Sequence, residues 1–445
     1  MNLQNNHTAA ALDWKYVFRA LRHRNFKLFF VGQGISLVGT WMQQIAMSWL
    51  VYRLTNSVFL LGMVGFAGQI PTFIFVPFAG VIADRYNRRR ILIITQSLAM
   101  LQAAILTLLV LSGSIAVWHI ITLIVFAGLV NAFDIPIRQA FIVEMIEKKE
   151  DLGNAIALNS TLFNLARLLG PAIAGILIHF VGEGVCFLLN SISYLAVLIS
   201  LVAMQITATE KKEAHKHVLH DLKEGLVYVL AFKPIAYILA LLSVVSLMGV
   251  SFQILMPVFA KDVFKGGPQT LGFLVGMAGV GALVGAIYLA ARRGVRGLGR
   301  MISVATVLFG LGLVSFSFSQ TLWVSLLCVI VAGFGLMVQM CASNTILQTI
   351  VDEDKRGRMM SFYTLAFMGM APLGSLLAGS LASRIGAPHT LFIGGTVCVV
   401  VALIFARQVS RLKEETVSKY TGQGVLPEVA NAMQTAARFE IFSQD

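Results

Sequence analysis

Charge is scarce in this chain. Only 12% of its 445 residues are Asp, Glu, Lys or Arg, against roughly 25% in an average soluble domain, and 57% are hydrophobic. A mean hydropathy of +0.81 excludes a soluble enzyme and a disordered chain. Acids are the scarcer sign: 21 Asp and Glu against 34 Lys and Arg leave a formal net charge of +13. The four cysteines, Cys186, Cys328, Cys341 and Cys398, lie in or beside apolar runs. They form no CxxC pair and have no Cys/His spacing, which excludes a disulfide scaffold and a metal set; they read as small buried hydrophobes. No GxxxxGK[ST] phosphate loop is present, so direct ATP drive is not expected. No nucleophile–base constellation appears either, so the chain is not expected to be an enzyme. Residues 1–26 are polar and basic and show no cleavable leader.

What remains is apolar run after apolar run. A spanning helix needs about 20 such residues. The runs predict helices near 27–51, 58–83, 91–112, 117–138, 152–179, 184–206, 234–258, 268–291, 301–319, 321–350, 357–383 and 387–407. The expected class is therefore an all-α membrane protein of twelve transmembrane helices in two six-helix pseudo-repeats. The expected divisions are an N-terminal segment 1–26, a bundle 27–206, a polar linker 207–233, a bundle 234–407 and a tail 408–445. No stretch is left over for a sizeable soluble domain.

The basic residues fall on alternate sides of these spans. One side receives residues 1–26 and the clusters at 85–90, 138–149, 211–233, 292–300 and 355–358, together with the tail. The other receives Arg53, Lys261, Lys265 and Arg384. Positively charged loops stay in the cytoplasm, so both termini are expected there. One helix more or fewer would invert every later loop and destroy the asymmetry. The surplus charge thus reads as topology and contact with membrane lipid, and no nucleic-acid partner is expected.

The halves echo one another. Leu61-Gly62 opens a helix that ends in Arg85, Arg88, Arg89 and Arg90, and Leu271-Gly272 opens one that ends in Arg292, Arg293, Arg296 and Arg300. The fifth helix carries Gly170-Pro171-Ala172-Ile173-Ala174-Gly175, and the eleventh carries Gly374-Ser375-Leu376-Leu377-Ala378-Gly379. A parallel six-plus-six repeat is the plan of a rocking transporter, with its site between the halves near the midplane.

The loop after the second helix, with Gly80, Asp84, Arg85, Arg88, Arg89 and Arg90, resembles the 2–3 loop signature of the major facilitator superfamily. An acid at a helix C-terminus opposes the macrodipole and needs a cation. On the family pattern Asp84 is expected to exchange partners among Arg138, Arg356 and Arg358 as a gating latch. The second half has no matching acid, so no symmetric latch is expected there. Gly170, Pro171 and Gly175 resemble the glycine–proline motif of antiporter branches, where small residues let helices approach and proline bends one. Gly39-Thr40-Trp41, Thr55-Asn56-Ser57, Asp134-Ile135-Pro136-Ile137-Arg138-Gln139 and Arg356-Gly357-Arg358 are similar to the enterobactin-exporter and macrolide-efflux branch, also called transmembrane secretion effectors. The resemblance runs from about residue 20 to 405 and implies secondary active export, usually driven by proton entry. Many relatives carry an acid where this chain has Thr40, so no proton site is expected on the first helix.

Depth selects the site. Counting about 10 to 15 residues in from the cytoplasmic ends reaches the midplane. There lie Gln43 and Gln44, Gln69, Arg167, Gln253 and Gln339, on helices that line the cavity in the family. Trp41, Trp49, Phe73 and Met256 could form an amphipathic wall, and Asn190 at similar depth reads as structural. Each glutamine alone could be an interhelical hydrogen bond. Ser160, Asn164, Arg167 and Pro171 share one helix face. Arg167 needs acceptors, which Gln44 and Gln69 or an anionic substrate could supply; it could instead be a structural residue bound to helix carbonyls. Asp134 is the one carboxylate well inside the apolar limits, about 6 Å from its cytoplasmic end, and reads either as the proton site or as the partner of Arg138. His119 and His179 are lesser relay candidates.

The expected function is export of an amphipathic small molecule, a siderophore or a drug, by alternating access in the inner membrane. The expected unit is a monomer, with a proton gradient in place of any cofactor. Two alternatives stay open: a lipid or lysophospholipid flippase on the same fold, and a non-transporting sensor or scaffold.

Overall fold

In the computed structural model, residues 18–205, 229, 232–292, 297–351 and 356–421 are described. Their side chains are described too, except at 77, 80–81, 83–85, 149, 356–358 and 409–421. Twelve long helices carry these residues. The first six are α1 (Arg24–Thr55), α2 (Val58–Arg85), α3 (Arg88–Leu111), α4 (Val117–Phe141), α5 (Leu152–Val181) and α6 (Glu183–Ala203). The next four are α7 (Lys233–Val263), α8 (Pro268–Ala290), α9 (Leu298–Phe318) and α10 (Leu322–Ile350). In α11, Arg356–Thr364 passes through a wide turn, Leu365–Gly369, into Met370–Ile385; α12 is Ala387–Thr421. The predicted spans agree with these to within a few residues, except that α1 is longer at both ends and α12 continues past 407.

Eleven of the twelve are long and apolar enough to cross a bilayer by themselves. The exception is α1, whose apolar run is interrupted by Gln33, Gln43 and Gln44. Those amides are tolerable because Gln33 is buried and Gln43 and Gln44 face a cavity between the halves. Local signals set the helix ends. Ser57 Oγ accepts from the Leu60 N–H at 3.3 Å, and Asn87 Oδ1 accepts from the Arg90 N–H at 3.1 Å, the usual way of satisfying N-terminal donors.

Each half is assembled alike. In the first, α1 packs on α5 and α6, α2 on α4, and α3 on α4 and α6; in the second, α7 packs on α11 and α12, α8 on α10, and α9 on α10 and α12. The halves meet along two seams, α2 with α11 and α5 with α8. The sequence echo becomes two crossed contacts. A Cβ added to Gly62 would lie 2.8 Å from Gly379 Cα, and one added to Gly272 would lie 2.9 Å from Gly175 Cα. The Leu-Gly of each half is thus seated on the glycine motif of the other, at a separation only glycine permits.

Both seams lie toward the end opposite the basic loops. At that far end the halves are also joined by polar contacts. Tyr52 Oη on α1 donates to the Asp262 carboxylate on α7, and Lys261 Nζ donates to Asn56 Oδ1 at 2.6 Å. Arg53 Nε and Glu183, 2.7 Å apart, tie α1 to the start of α6. The far end is closed.

Candidate functional site

Between the halves lies a cavity of about 400 Å³, lined by α1, α2, α3, α4, α7, α8 and α11. Its polar wall consists of amides and hydroxyls: Gln43, Gln44, Gln69, Gln102, Asn131 and Gln253, with Thr40, Ser48, Ser251 and Ser375. Trp41, Ile45, Met47, Leu61, Val64, Ile124, Ile254 and Val275 give an apolar side. No carboxylate is among the lining residues. A wall of this kind holds an amphipathic molecule by contact area and by donors and acceptors together.

The amides differ in how much bonding capacity they keep. Gln43 is committed to the protein: its Nε2 donates to Gln102 Oε1 at 3.0 Å and its Oε1 accepts from Asn190 Nδ2 at 2.8 Å. That chain joins α1, α3 and α6, so Asn190 is structural, as expected. Gln69 Nε2 donates to the Gly65 carbonyl at 3.2 Å, which leaves its Oε1 to the cavity. Gln44, Asn131 and Gln253 form no hydrogen bond to the protein among the described residues, and Gln44 and Asn131 are exposed in the cavity.

Arg167 is not among the residues that line this space but lies against one that is. Its guanidinium lies 5.8 Å from the centroid of the Trp41 ring, which lines the cavity and is packed edge-on by Phe163 at 5.7 Å. Among the described residues it has no ion-pair or hydrogen-bond partner, so the glutamine carbonyls of Gln44 and Gln69 do not serve it. Trp41 is fixed from behind: a Cβ added to Gly170 would lie 2.5 Å from its Cβ. Pro171 is buried in the α5–α8 seam beside Gly175.

Several expected residues lie elsewhere. Gln339 is 1% exposed and outside the cavity, with neither end of its amide bonded. One turn earlier Gly335 packs against Ala305 and Phe309 of α9, so this stripe of α10 faces its own half. Asn164 does not line the cavity and donates to the Ser160 carbonyl at 2.9 Å. Trp49 and Met256 are buried in the core, away from the amphipathic wall. His119 Nδ1 accepts from the Ala116 N–H at 3.1 Å and so caps the start of α4.

Asp134 is deeper than its expected single turn, because α4 runs on to Phe141. It is 3% exposed. Its Oδ1 accepts from Thr95 Oγ1 at 2.9 Å and from Gln96 Nε2 at 2.7 Å, and its Oδ2 lies 3.6 Å from Arg138 Nε. An isolated buried carboxylate would be very costly, but this one has two hydrogen bonds and a cation. Pro136 lies between the acid and the arginine and removes the hydrogen bond to the Ala132 carbonyl, a cause of helix bending.

At the basic end, the side chains of the expected latch at Gly80, Asp84, Arg85, Arg356 and Arg358 lie outside those described. Of its other arginines, Arg88, Arg89 and Arg138 are held within the first half. Arg88 pairs with Glu144 at 2.9 Å, and Arg89 donates to the Leu201 and Val202 carbonyls at 2.6 and 2.8 Å. The Arg90 side chain is exposed. Nearby, Asp151 contacts His23 at 3.0 Å and Arg19 at 3.1 Å; the His23 bond, followed by the field of Arg19, holds its carboxyl below the usual range.

Comparison with known proteins places this geometry. A family profile described as transmembrane secretion effector matches residues 16–436. The chain is 27% identical over 392 residues to a staphyloferrin A transporter of Staphylococcus aureus, covering 87% of this chain and 98% of that one. It is 22% identical over 398 residues to macrolide efflux protein A of Streptococcus pyogenes, covering 86% and 96%. In fold it is similar to a bacterial homologue of the lysosomal transporter Spinster in an inward-facing, unoccupied conformation. That match has a TM-score of 0.67 at 14% identity, over 88% of this chain and 98% of that one.

Proposed function

The chain belongs to the transmembrane secretion effector family of major facilitator transporters, and from that premise we propose that it exports an anionic or acceptor-rich amphipathic molecule in exchange for protons. The observation that carries this reading is the Arg167 guanidinium, 5.8 Å from the centroid of the cavity-lining Trp41 ring and without an acceptor among the described residues. A guanidinium cannot shed its proton and presents a planar fork to carboxylate or catechol oxygens. Gln44, Asn131 and Gln253 add donors and acceptors that no described residue uses, and Trp41 supplies the apolar face. Relatives that carry the names of a siderophore transporter and a macrolide efflux protein support a small-molecule substrate.

Asp134 is the proton site in this reading. Protonation would cancel its attraction for Arg138 across Pro136 and allow α4 to change its bend. The basic loops face the cytoplasm, the far end faces outward, and Asp84 closes the inner end through Arg138 near the end of α4 and Arg356 and Arg358 at the start of α11. A monomer is the transporting unit, since one chain encloses the cavity.

Binding to purified protein tests the substrate class. A panel of staphyloferrin A, a macrolide, and neutral and cationic amphiphiles should show preference for the acceptor-rich and anionic members. Equal affinity for all classes would overturn the role of Arg167, and preference for cations would overturn the charge assignment.

A further inference from the structure

Protons residing in a dry site pose a chemical problem. An ionised carboxylate needs donors, a carboxylic acid needs an acceptor for its O–H, and a fixed shell serves only one of the two. The shell around Asp134 is composed of groups that serve both. Gln96 is 4% exposed; its Nε2 donates to Asp134 Oδ1 at 2.7 Å, while its Oε1 is buried without a partner among the described residues. Rotation of the amide about its terminal bond exchanges donor for acceptor at the same position. Thr95 has one hydroxyl proton and two acceptors in reach, Asp134 Oδ1 at 2.9 Å and the Leu92 carbonyl at 3.1 Å. It can leave the acid without losing a hydrogen bond.

We propose that Gln96, assisted by Thr95, is the positioning residue that lets Asp134 hold and release a proton without water. In the ionised state the amide N–H and the Thr95 hydroxyl both donate to the carboxylate, as the contacts at 2.7 and 2.9 Å allow. When a proton from solvent adds to Oδ1 and forms the O–H bond, the Gln96 amide turns and Oε1 accepts it. Thr95 then donates to Leu92, and the pair with Arg138 loses its charge attraction. Departure of the proton to the other side reverses each step, and no other reactant takes part. The charged or titratable groups facing this centre among the described residues are few. Arg138 is on α4, and Tyr194 on α6 lies within electrostatic reach of both Asp134 and Arg138. α3 offers only neutral Thr95 and Gln96, and α2 has no titratable residue over Val58–Val76.

The inference rests on Asp134 being the proton site, and the test separates the two. Infrared difference spectra of the purified full-length protein between acid and neutral pH need no substrate. A carboxylic-acid band that vanishes in Asp134→Asn identifies the site; without such a band the proton reading falls, and this inference with it. Given the band, Gln96→Met removes donor and acceptor while conserving bulk. Because the bond to the ionised form is charge-assisted and the stronger of the two, its loss should displace the pH dependence of that band. The band itself should move. Gln96→Asn, with the amide on a shorter arm, should show a smaller change in the same direction and serves if the first variant does not fold. A midpoint and band unchanged in the folded variants would overturn the role of Gln96.

Discussion

Asp134 and Gln339 occupy equivalent positions in the two halves. Each lies six residues beyond the glycine, Gly128 or Gly333, at which its helix meets Gly68 of α2 or Ala278 of α8. Arg138 and Ser343 follow four residues later in each. Gln96 and Thr306 are both ninth in their helices, α3 and α9. The same backbone arrangement therefore holds an ion pair in one half and a neutral amide and hydroxyl in the other. The second-half spans, the last taken over Ala387–Gln408, carry no carboxylate except Asp262 at the far end, so Asp134 has no acidic counterpart there.

That asymmetry separates two substitutions. Gln339→Leu removes an amide with no partner, and burial of an unsatisfied amide costs about 1–3 kcal/mol. It should leave thermal stability unchanged or raised and transport intact. Asp134→Leu strands Arg138 and both donors on α3, for which about 3–5 kcal/mol is typical. Thermal unfolding in detergent should therefore fall for Asp134→Leu alone. Equal losses in both would show that the two positions are packed for the same purpose.

Arg167 should respond to geometry as well as charge. Arg167→Lys keeps the cation but loses the planar fork on Trp41, and affinity for an anionic ligand should drop roughly tenfold, the size of one charge-assisted bond. Arg167→Gln should lose more, for anionic ligands first. Titration calorimetry with staphyloferrin A would register both. Unchanged binding in folded Arg167→Gln would make the residue structural.

The crossed glycines set how tightly the far end closes. A side chain in Gly272→Leu must displace α5 at Gly175, so the halves should stand further apart there. Trp118 and Trp323 begin α4 and α10 at equivalent far-end positions and are exposed. Spin labels replacing them, with the native cysteines removed, report this separation by pulsed electron resonance. The distance should lengthen in Gly272→Leu; an identical distribution would mean that the seam does not limit closure.

Tyr52→Phe probes the same closure through a single hydroxyl. Loss of its bond to Asp262 should cost about 1 kcal/mol, shifting the closed-to-open ratio roughly fivefold with the helices still packed. The same label pair reads it, and an unaltered population would assign the far-end hold to the glycines alone.

Much of the fold was legible because membrane burial writes itself into composition. Apolar runs separated by basic loops gave twelve helices, and the repeated Leu-Gly and Gly-Gly spacings marked what became the two inter-half seams. Depth along a helix was also readable, which is why Gln43, Gln44, Gln69 and Gln253 prove to line one cavity. Rotation about the helix axis was not. Gln339 has the right height but lies on the side of α10 that faces its own half. Asn131 and Gln102 were missed, although a polar residue inside an apolar run was a usable signal for each. Thr95 and Gln96 could not be assigned to Asp134 from sequence, since their contact depends on how α3 packs on α4.

The account turns on Asp134, and gradient-driven transport tests it most directly. Reconstituted protein should move staphyloferrin A or a macrolide faster when a proton gradient is imposed, and should lose that acceleration when the gradient is dissipated. In Asp134→Asn, which retains the hydrogen-bonding shape of the side chain, substrate binding should persist while the acceleration disappears. A folded Asp134→Asn protein that still answers fully to the gradient would contradict the account and place the coupling acid elsewhere.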